Sequence, residues 1–160
     1  MKNLITKAVF ALALIAAVAA PLMAAPATNT LGHNIGATRY DVVSYFPEGG
    51  GTPQQGLIGI SHDYKGVTYR FRTKKNLDLF KKNPAKYAPQ YNGWCTWAMA
   101  ALDKEVDIEP TKYLIRNGKL YLFYNDPELD TRALMLKDAD NLFRKADANW
   151  KKRLGASESE

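Results

Sequence analysis

The chain has 160 residues, of which 46% are hydrophobic and 24% are charged, the balance of one ordinary globular domain. Its formal net charge of +6 is mild and its basic residues are scattered among amphipathic patterns, which argues against a nucleic-acid-binding protein. The single cysteine, Cys95, excludes a disulfide within this sequence, and the two histidines, His33 and His62, leave few imidazole ligands for a metal.

Residues 1–27 have the pattern of a secretory signal peptide. Two lysines give a positive start, an apolar alanine-rich run follows at 8–20, and cleavage is predicted after Ala24 or Ala27. The apolar run is short for a membrane span, although an uncleaved anchor is the alternative that the pattern leaves open. We therefore expect a periplasmic or secreted protein without stable membrane insertion after cleavage, in which residues 28–38 form a flexible lead-in to the domain.

The next part of the chain is predicted to turn and then to form a β-hairpin. Residues 40–46 fit a short helix or a turn, which the glycines and prolines of 47–53 bring to an end. Strands are predicted over 57–64 and 67–72, with a tight turn between them. His62 lies near that turn, where an exposed histidine is more usual than a metal ligand.

Three helical segments are then predicted around the aromatic centre of the sequence. Thr73 is a favourable N-cap for a helix over 76–82, because its hydroxyl can accept from a free N–H of the first turn. Pro84 suits the first turn of a short helix that contains Tyr87. Residues 94–102 have helical spacing and are apolar nearly all round, so we expect this helix at the centre of the core.

The strongest local signal is a second hairpin. Asn117-Gly118 supplies the positive φ angles of a two-residue turn between β-rich runs at 112–116 and 119–124. A long helix is predicted over 127–152, and the tail at 155–160 is expected to fray. The fold class is therefore α+β: a single small domain whose short antiparallel hairpins, which could form one sheet, pack against the central apolar helix and the long C-terminal helix.

With these elements laid out, the chain resembles the exported YHS-domain proteins. The matching motifs are Tyr40-Asp41-Val42-Val43-Ser44-Tyr45-Phe46, Tyr64-x-Gly66-x-Thr68-Tyr69-x-Phe71, Asn76-x3-Phe80-x3-Pro84-x2-Tyr87-Ala88-Pro89-Gln90-Tyr91-x-Gly93-x-Cys95, Lys119-Leu120-Tyr121-Leu122-x-Tyr124 and Ala146-Asp147-Ala148-Asn149-Trp150. They cover most of residues 39–154, the predicted domain. The resemblance implies a small α+β domain and a heavy-metal-binding role. The metal-binding relatives carry several cysteines where this sequence has one, so their multi-cysteine site cannot be carried over.

Cys95 is the candidate metal ligand. Cys95 and Met99 are four residues apart on a predicted helix, so their sulfur atoms would face the same way, and soft sulfur ligands favour Cu(I). His62 or His33 could complete such a site. The alternative, which is the more usual setting, makes Cys95 a small buried hydrophobe and Met99 a gap-filler beside the tryptophans.

The aromatic residues support a third interpretation, in which they line a pocket for a small apolar or aromatic ligand or form a docking face for another exported protein. These residues are Tyr45, Tyr87, Tyr91, Trp94 and Trp97. The alternative is that each belongs to the core or its rim. No catalytic motif is present in the sequence, so we predict a non-enzymatic exported binding module with copper as the leading ligand. The rival class is a structural or protein-interaction domain that binds no metal.

Overall fold

The computed structural model describes residues 26–30 and 34–156. Most of the predicted signal peptide, His33 and the end of the C-terminal tail lie outside these residues. Within the described part of the chain, no helix is both long enough and apolar enough to cross a membrane.

Two β-hairpins and five helices make up the described part of the chain. In order they are β1 (Leu57–Tyr64), β2 (Val67–Phe71), α1 (Lys74–Lys82), α2 (Pro84–Tyr87), α3 (Thr96–Ala101), β3 (Glu109–Arg116), β4 (Lys119–Phe123), α4 (Thr131–Leu136) and α5 (Ala139–Ala156). The α+β class is therefore confirmed.

The hairpins form two separate two-stranded antiparallel sheets, β1–β2 and β3–β4, so the expectation that they could share one sheet is wrong. Their turns are as predicted. Asn117 and Gly118 have φ values of 51° and 71°, and Lys65 and Gly66 have 51° and 76°. Positive φ at both central residues matches the right-handed twist of the flanking strands, which is why such turns close hairpins. An isolated two-stranded sheet is marginal in water, so both hairpins depend on packing against helices.

The first two helices begin and end where the capping residues predict. The Oγ1 of Thr73 accepts from the N–H of Asn76 at 3.1 Å, which caps α1. Asn83 then ends α1, and its side chain accepts from the N–H of Lys86 at 3.2 Å to cap α2. Pro84 occupies the first position of α2, where its missing N–H is not needed.

The central helix is shorter than predicted. Helix α3 begins at Thr96 rather than at Trp94, because Trp94 is extended and Cys95 occupies the N-cap position with φ −57° and ψ 117°. The backbone N–H of Cys95 instead donates to the carbonyl oxygen of Val106 at 2.9 Å. Most of α3 is buried, although Leu102, directly after it, is 51% exposed. The prediction of a central helix is right, and its start was placed two residues early.

The predicted long C-terminal helix is two helices. Pro127 lies in a turn, and the first helix starts only after Asp130, whose Oδ1 accepts from the N–H of Ala133 at 3.0 Å. Helix α4 ends at Leu136, and α5 begins at Ala139. The prediction of a long C-terminal helix is therefore confirmed by α5 (Ala139–Ala156), but its start was placed too early. The apolar spacing continues across the break between α4 and α5, and the sequence offers more than one side chain that could cap a helix.

Two hydrophobic clusters fill the interior, and α3 contributes to both. The N-terminal cluster packs β1–β2 and α1 against Cys95 and Ala98. The C-terminal cluster packs α5 and β4 against Met99 and Ala100. Trp97 is partly buried against both clusters.

A buried carboxylate fixes the segment before the first hairpin, where residues 42–45 form turns. The Oδ1 of Asp41 accepts from the N–H groups of Val43 at 2.9 Å and Ser44 at 3.3 Å. Its Oδ2 accepts from the N–H of Arg72 at 2.8 Å and from the side-chain amide of Asn76 at 2.7 Å. One side chain thus joins this turn to the end of β2 and to the start of α1.

Candidate functional site

Cys95 lies at the start of α3 with its side chain fully buried. Its Sγ accepts a hydrogen bond from the backbone N–H of Tyr124 at 3.3 Å and lies 3.5 Å from the Oγ1 of Thr131. The Thr131 hydroxyl donates its only proton to the carbonyl oxygen of Tyr124 at 2.6 Å. The thiol must therefore be the donor to Thr131, which closes a ring of three hydrogen bonds. In this ring the thiol is engaged by groups of the fold, whereas a metal ligand or nucleophile needs an accessible thiolate.

The other predicted metal ligands lie in different surroundings. Met99 is buried in the C-terminal cluster, and His62 lies half-buried on β1 with its ring 6.2 Å from that of Phe80. Within the described part of the chain, no group of three His, Cys, Asp or Glu side chains is placed to hold a metal ion. Copper binding through Cys95, Met99 and His62 stays a prediction, which the hydrogen-bond ring does not favour.

Three of the five aromatic residues predicted to line a pocket belong to the packed interior. Tyr45 and Tyr87 lie in the N-terminal cluster, and Trp97 packs against both clusters. The Tyr45 hydroxyl donates to the carbonyl oxygen of Pro110 at 2.9 Å, and the Tyr87 hydroxyl donates to the carboxylate of Glu48 at 3.1 Å. Their polar atoms already have partners within the fold.

The remaining two predicted residues are Tyr91, which belongs to a left-handed turn before α3, and Trp94, which follows that turn. Trp94 is half-buried, and its indole Nε1 donates to the carbonyl oxygen of Ala27 at 2.9 Å. Tyr91 is buried and lines a cavity. The structure therefore does not bring the five predicted aromatic residues together, and Tyr91 is the one among them that lines this cavity.

The cavity has a volume of about 190 Å³ and lies where the β1–β2 hairpin, the segment after α2, and α5 meet. We call it the tyrosine cavity. The residues that form its walls include Tyr64, Lys65, Tyr69, Gln90, Tyr91 and Trp150. Cavities with aromatic walls and a few polar groups are the usual setting of a small-molecule site.

Tyr91 and Trp150 form one wall of the tyrosine cavity. Their ring centroids lie 6.0 Å apart in an edge-to-face arrangement, a favourable geometry for two aromatic rings. The Tyr91 hydroxyl donates to the carboxylate of Asp147 at 2.8 Å. Burial, together with this hydrogen bond to Asp147, raises the pKa of Tyr91 well above its usual value. Tyr91 therefore presents its ring to the cavity, and its hydroxyl is already engaged.

Tyr69 contributes a hydroxyl group to the lining of the tyrosine cavity. Its side chain is 5% exposed, and no described residue makes a hydrogen bond to its hydroxyl. Burial raises the pKa of Tyr69 to about 12, with a further contribution from Tyr64. The hydroxyl is therefore a proton donor at neutral pH. Gly36 allows this ring position, because a Cβ there would lie 2.6 Å from the Cε1 of Tyr69.

Lys65 gives the tyrosine cavity a positive charge at its edge. It is exposed in the β1–β2 turn, and its Nζ lies 5.4 Å from the ring centroid of Tyr64. None of the other described residues that line the cavity carries a charge. The cavity therefore combines aromatic walls with one cation and no carboxylate in its lining.

Part of the cavity wall is held in a strained backbone conformation. Tyr91 and Asn92 have φ values of 53° and 51°, a region that costs a residue with a Cβ about 1–2 kcal/mol. Contacts from the N-terminal segment hold this turn. The side-chain amide of Asn92 donates to the carbonyl oxygen of Pro26 at 2.8 Å, and its own carbonyl oxygen accepts from the N–H of Asn29 at 2.9 Å. Strained residues of this kind often occur at ligand sites.

A second cavity, of about 260 Å³, lies between the β3–β4 hairpin and α5. Arg116 stacks on the ring of Phe143, with the guanidinium carbon 4.5 Å from the ring centroid, and pairs with the carboxylate of Asp140 at 2.6 Å. Asp147, also in its lining, is the acceptor of the Tyr91 hydroxyl. Arg116, Asp140 and Asp147 already have partners, and the remaining charged residue of the lining, Arg144, is exposed, so the tyrosine cavity is the better candidate site.

Of the described residues that line the tyrosine cavity, sequence reasoning named only Tyr91 as a pocket residue. The residues it missed include Tyr64, Lys65, Tyr69 and Trp150. A signal existed for the two tyrosines, since alternation along a hairpin places residues of paired strands on one face. His62 pairs with Tyr69 and Tyr64 pairs with Val67, so the side chains of Tyr64 and Tyr69 lie on the same face of the hairpin. Trp150 lies on α5, far from the hairpin in sequence, and no local pattern indicates that it reaches the cavity.

Comparisons of the chain with protein-family models, with curated proteins and with solved structures found no match. The resemblance to the exported YHS-domain proteins therefore stays a prediction. The tyrosine cavity and the hydrogen-bond ring around Cys95 are the two features of the fold from which a function can be inferred.

Proposed function

We propose that the protein is an exported, non-enzymatic binding module that takes a small organic ligand into the tyrosine cavity. The observation that carries this proposal is the hydroxyl of Tyr69, which lies on a cavity-lining side chain and has no hydrogen-bond partner among the described residues. Because no described side chain or backbone group accepts its proton, this hydroxyl is available to donate to a ligand that enters the cavity. The rings of Tyr64, Tyr91 and Trp150 supply apolar contact area around it.

In this proposal Cys95 is a structural residue. Its thiol links the start of α3 to Tyr124 and Thr131, and all its hydrogen-bonding capacity is used inside the fold. Tyr45 and Tyr87 are likewise engaged within the core, which leaves them unsuited to a docking face for another exported protein. Export is inferred from the signal-like sequence of residues 1–27.

Phenol is a suitable first probe, because it is a neutral single ring with a hydroxyl that can accept from Tyr69. We expect phenol to shift the NMR signals of the Trp150 indole and of the Asn92 amide in the isotope-labelled protein. The indole signal of Trp97, which packs within the core, should stay unchanged.

The matched variants are Ala88→Leu and Ala133→Leu. Ala88 lines the tyrosine cavity, so a leucine there should occupy it and abolish the phenol-dependent shifts. Ala133 is exposed on α4, so a leucine there should leave them unchanged. The proposal is overturned if phenol at about 10 mM leaves the Trp150 signal unmoved, a concentration at which even binding of a few kcal/mol is visible. It is also overturned if folded Ala88→Leu responds like the unsubstituted protein.

A further inference from the structure

We propose that the ligand of the tyrosine cavity is a single-ring aromatic carboxylate, of which benzoate is the simplest example. This inference rests on the proposed function, because it names the ligand class for the same cavity. It depends on three properties of the cavity: its volume, the chemistry of its walls, and the position of its one charge.

The volume of the tyrosine cavity suits a ligand of one ring. The tyrosine cavity measures about 190 Å³. An engineered cavity of about 150 Å³ in another protein holds benzene, whereas ligands of drug size occupy about 300 Å³ or more. The tyrosine cavity therefore has room for a six-membered ring with one small substituent.

The walls favour an aromatic ring over an aliphatic group of the same size. Tyr91 and Trp150 present rings in edge-to-face contact with each other, and Tyr64 and Tyr69 are both held against Phe80 at centroid distances of 5.8 Å and 5.0 Å. These contacts fix the wall rings before any ligand arrives. A planar aromatic ligand can add offset-stacked or edge-to-face contacts, which are worth about 0.5–1.5 kcal/mol beyond the buried area.

The polar groups favour a carboxylate as the substituent. Tyr69 offers a hydroxyl donor in the lining, and Lys65 offers a cation at the edge of the same cavity. A carboxylate has two oxygens, so one can accept from the Tyr69 hydroxyl while the other pairs with the Lys65 ammonium. Among the described residues of the lining, none carries a negative charge that would repel this anion.

The test compares benzoate with benzyl alcohol, which has the same ring without the charge, and with inorganic phosphate, which has charge without a ring. Binding is followed through the Trp150 indole signal of the full-length folded protein. We expect benzoate to bind about fivefold more tightly than benzyl alcohol, and phosphate to leave the signal unmoved.

Variants separate the two polar groups. Lys65→Met removes the charge and keeps an apolar stem, so the preference for benzoate should disappear while benzyl alcohol binds as before. Lys81→Met is the control, because Lys81 is exposed on α1 and does not line the cavity. Tyr69→Phe removes the hydroxyl, and both ring compounds should then bind about fivefold more weakly.

The outcomes distinguish this inference from the proposed function. Equal affinity for benzoate and benzyl alcohol would overturn the inference that the ligand is a carboxylate, and the proposal of a small-molecule site would still stand. A preference for benzoate that persists in Lys65→Met would also overturn the inference, since the positive charge that attracts the carboxylate would then not be that of Lys65. Movement of the Trp150 signal by phosphate would show that charge suffices without a ring. If no ring compound moves the Trp150 signal, both proposals fail.

Discussion

The backbone N–H of Tyr124 donates a hydrogen bond to the Sγ of Cys95 across 3.3 Å, so the start of α3 is joined to the residue that follows β4. Thr131 completes the connection by accepting from the thiol and donating to the Tyr124 carbonyl oxygen. A cysteine held in this way behaves as a polar link inside an apolar interior rather than as a reactive group.

Replacing Thr131 by valine should lower the free energy of unfolding by about 1–2 kcal/mol. The substitution keeps the shape of the side chain but leaves the Cys95 thiol without an acceptor and removes a donor from the Tyr124 carbonyl oxygen. Urea unfolding followed by circular dichroism measures the difference.

Thr96→Val is the matched control for that prediction. Thr96 is as deeply buried as Thr131, but its Oγ1 has no hydrogen-bond partner among the described residues. Removing this hydroxyl should leave the free energy of unfolding unchanged or raise it by up to about 1 kcal/mol. Equal destabilisation by the two valine variants would contradict the role of the ring around Cys95.

The Cys95 thiol should react with a disulfide reagent only after the protein unfolds, because the side chain is fully buried and hydrogen-bonded within the fold. The same burial leads us to expect equal Cu(I) titration curves for the native protein and Cys95→Ser. Tight one-to-one Cu(I) binding that disappears in Cys95→Ser would instead support the copper hypothesis.

Asp41→Asn should lower the free energy of unfolding by about 3 kcal/mol. The carboxylate accepts four hydrogen bonds while fully buried, and an amide in its place would direct N–H groups at donors such as the Arg72 N–H and the Asn76 amide. Asp63→Asn is the control. Asp63 is exposed and, among the described residues, accepts a side-chain hydrogen bond from Thr68 only, so its replacement should cost less than about 0.5 kcal/mol. Similar Tm shifts for the two variants would contradict this assignment.

Stability should fall as the pH rises above the ordinary tyrosine pKa of about 10. Burial raises the pKa of Tyr69 to about 12 and raises the pKa values of Tyr45 and Tyr91 further. A group whose pKa is raised on folding adds stability that is complete below its unfolded pKa and is lost as the pH rises through its folded pKa. Ultraviolet titration of tyrosinate should therefore show a late group of tyrosines that ionises with unfolding. Ionisation of all nine tyrosines near pH 10 in the folded protein would contradict this prediction.

A chain beginning at Ala25 should be more stable than one beginning at Thr28 by about 1 kcal/mol. The longer form keeps the carbonyl oxygens of Pro26 and Ala27, which accept from Asn92 and Trp94. Of the two predicted cleavage positions, the one after Ala24 preserves these contacts. Thermal unfolding of the two forms measures the difference, and equal Tm values would show that the contacts contribute nothing.

The parts of the fold that the sequence predicts are those set by neighbouring residues. Asn117-Gly118 closes a hairpin through its own φ angles, and Thr73 caps α1 through a residue three positions on. The C-terminal helices show the limit of this reasoning. Asp126 and Asp130 could each begin a helix by local rules, and Asp126 instead closes a turn through the N–H groups of Glu128 and Leu129. Packing decides between such alternatives.

The candidate site was harder to predict because its contacts are distant in sequence. The partners of Cys95 lie 29 and 36 residues away, so nothing near Cys95 shows that its thiol is occupied. The tyrosine cavity likewise joins a hairpin near residue 66 to Trp150. A sequence can show that Cys95 is alone among apolar residues, but it cannot show which distant groups bond to it.

The short helix α3 lies between the two hydrophobic clusters, with Ala98 in one and Met99 in the other. Neither half of the chain therefore contains a complete interior of its own. Cutting the chain in the connection at residues 103–107 would leave α3 in the N-terminal piece. The elements β4 and α5, which cover the other side of α3, would then be in the C-terminal piece. The two pieces should be unstructured apart and should fold only on meeting, so the protein is a natural candidate for a split reporter whose halves report each other's presence.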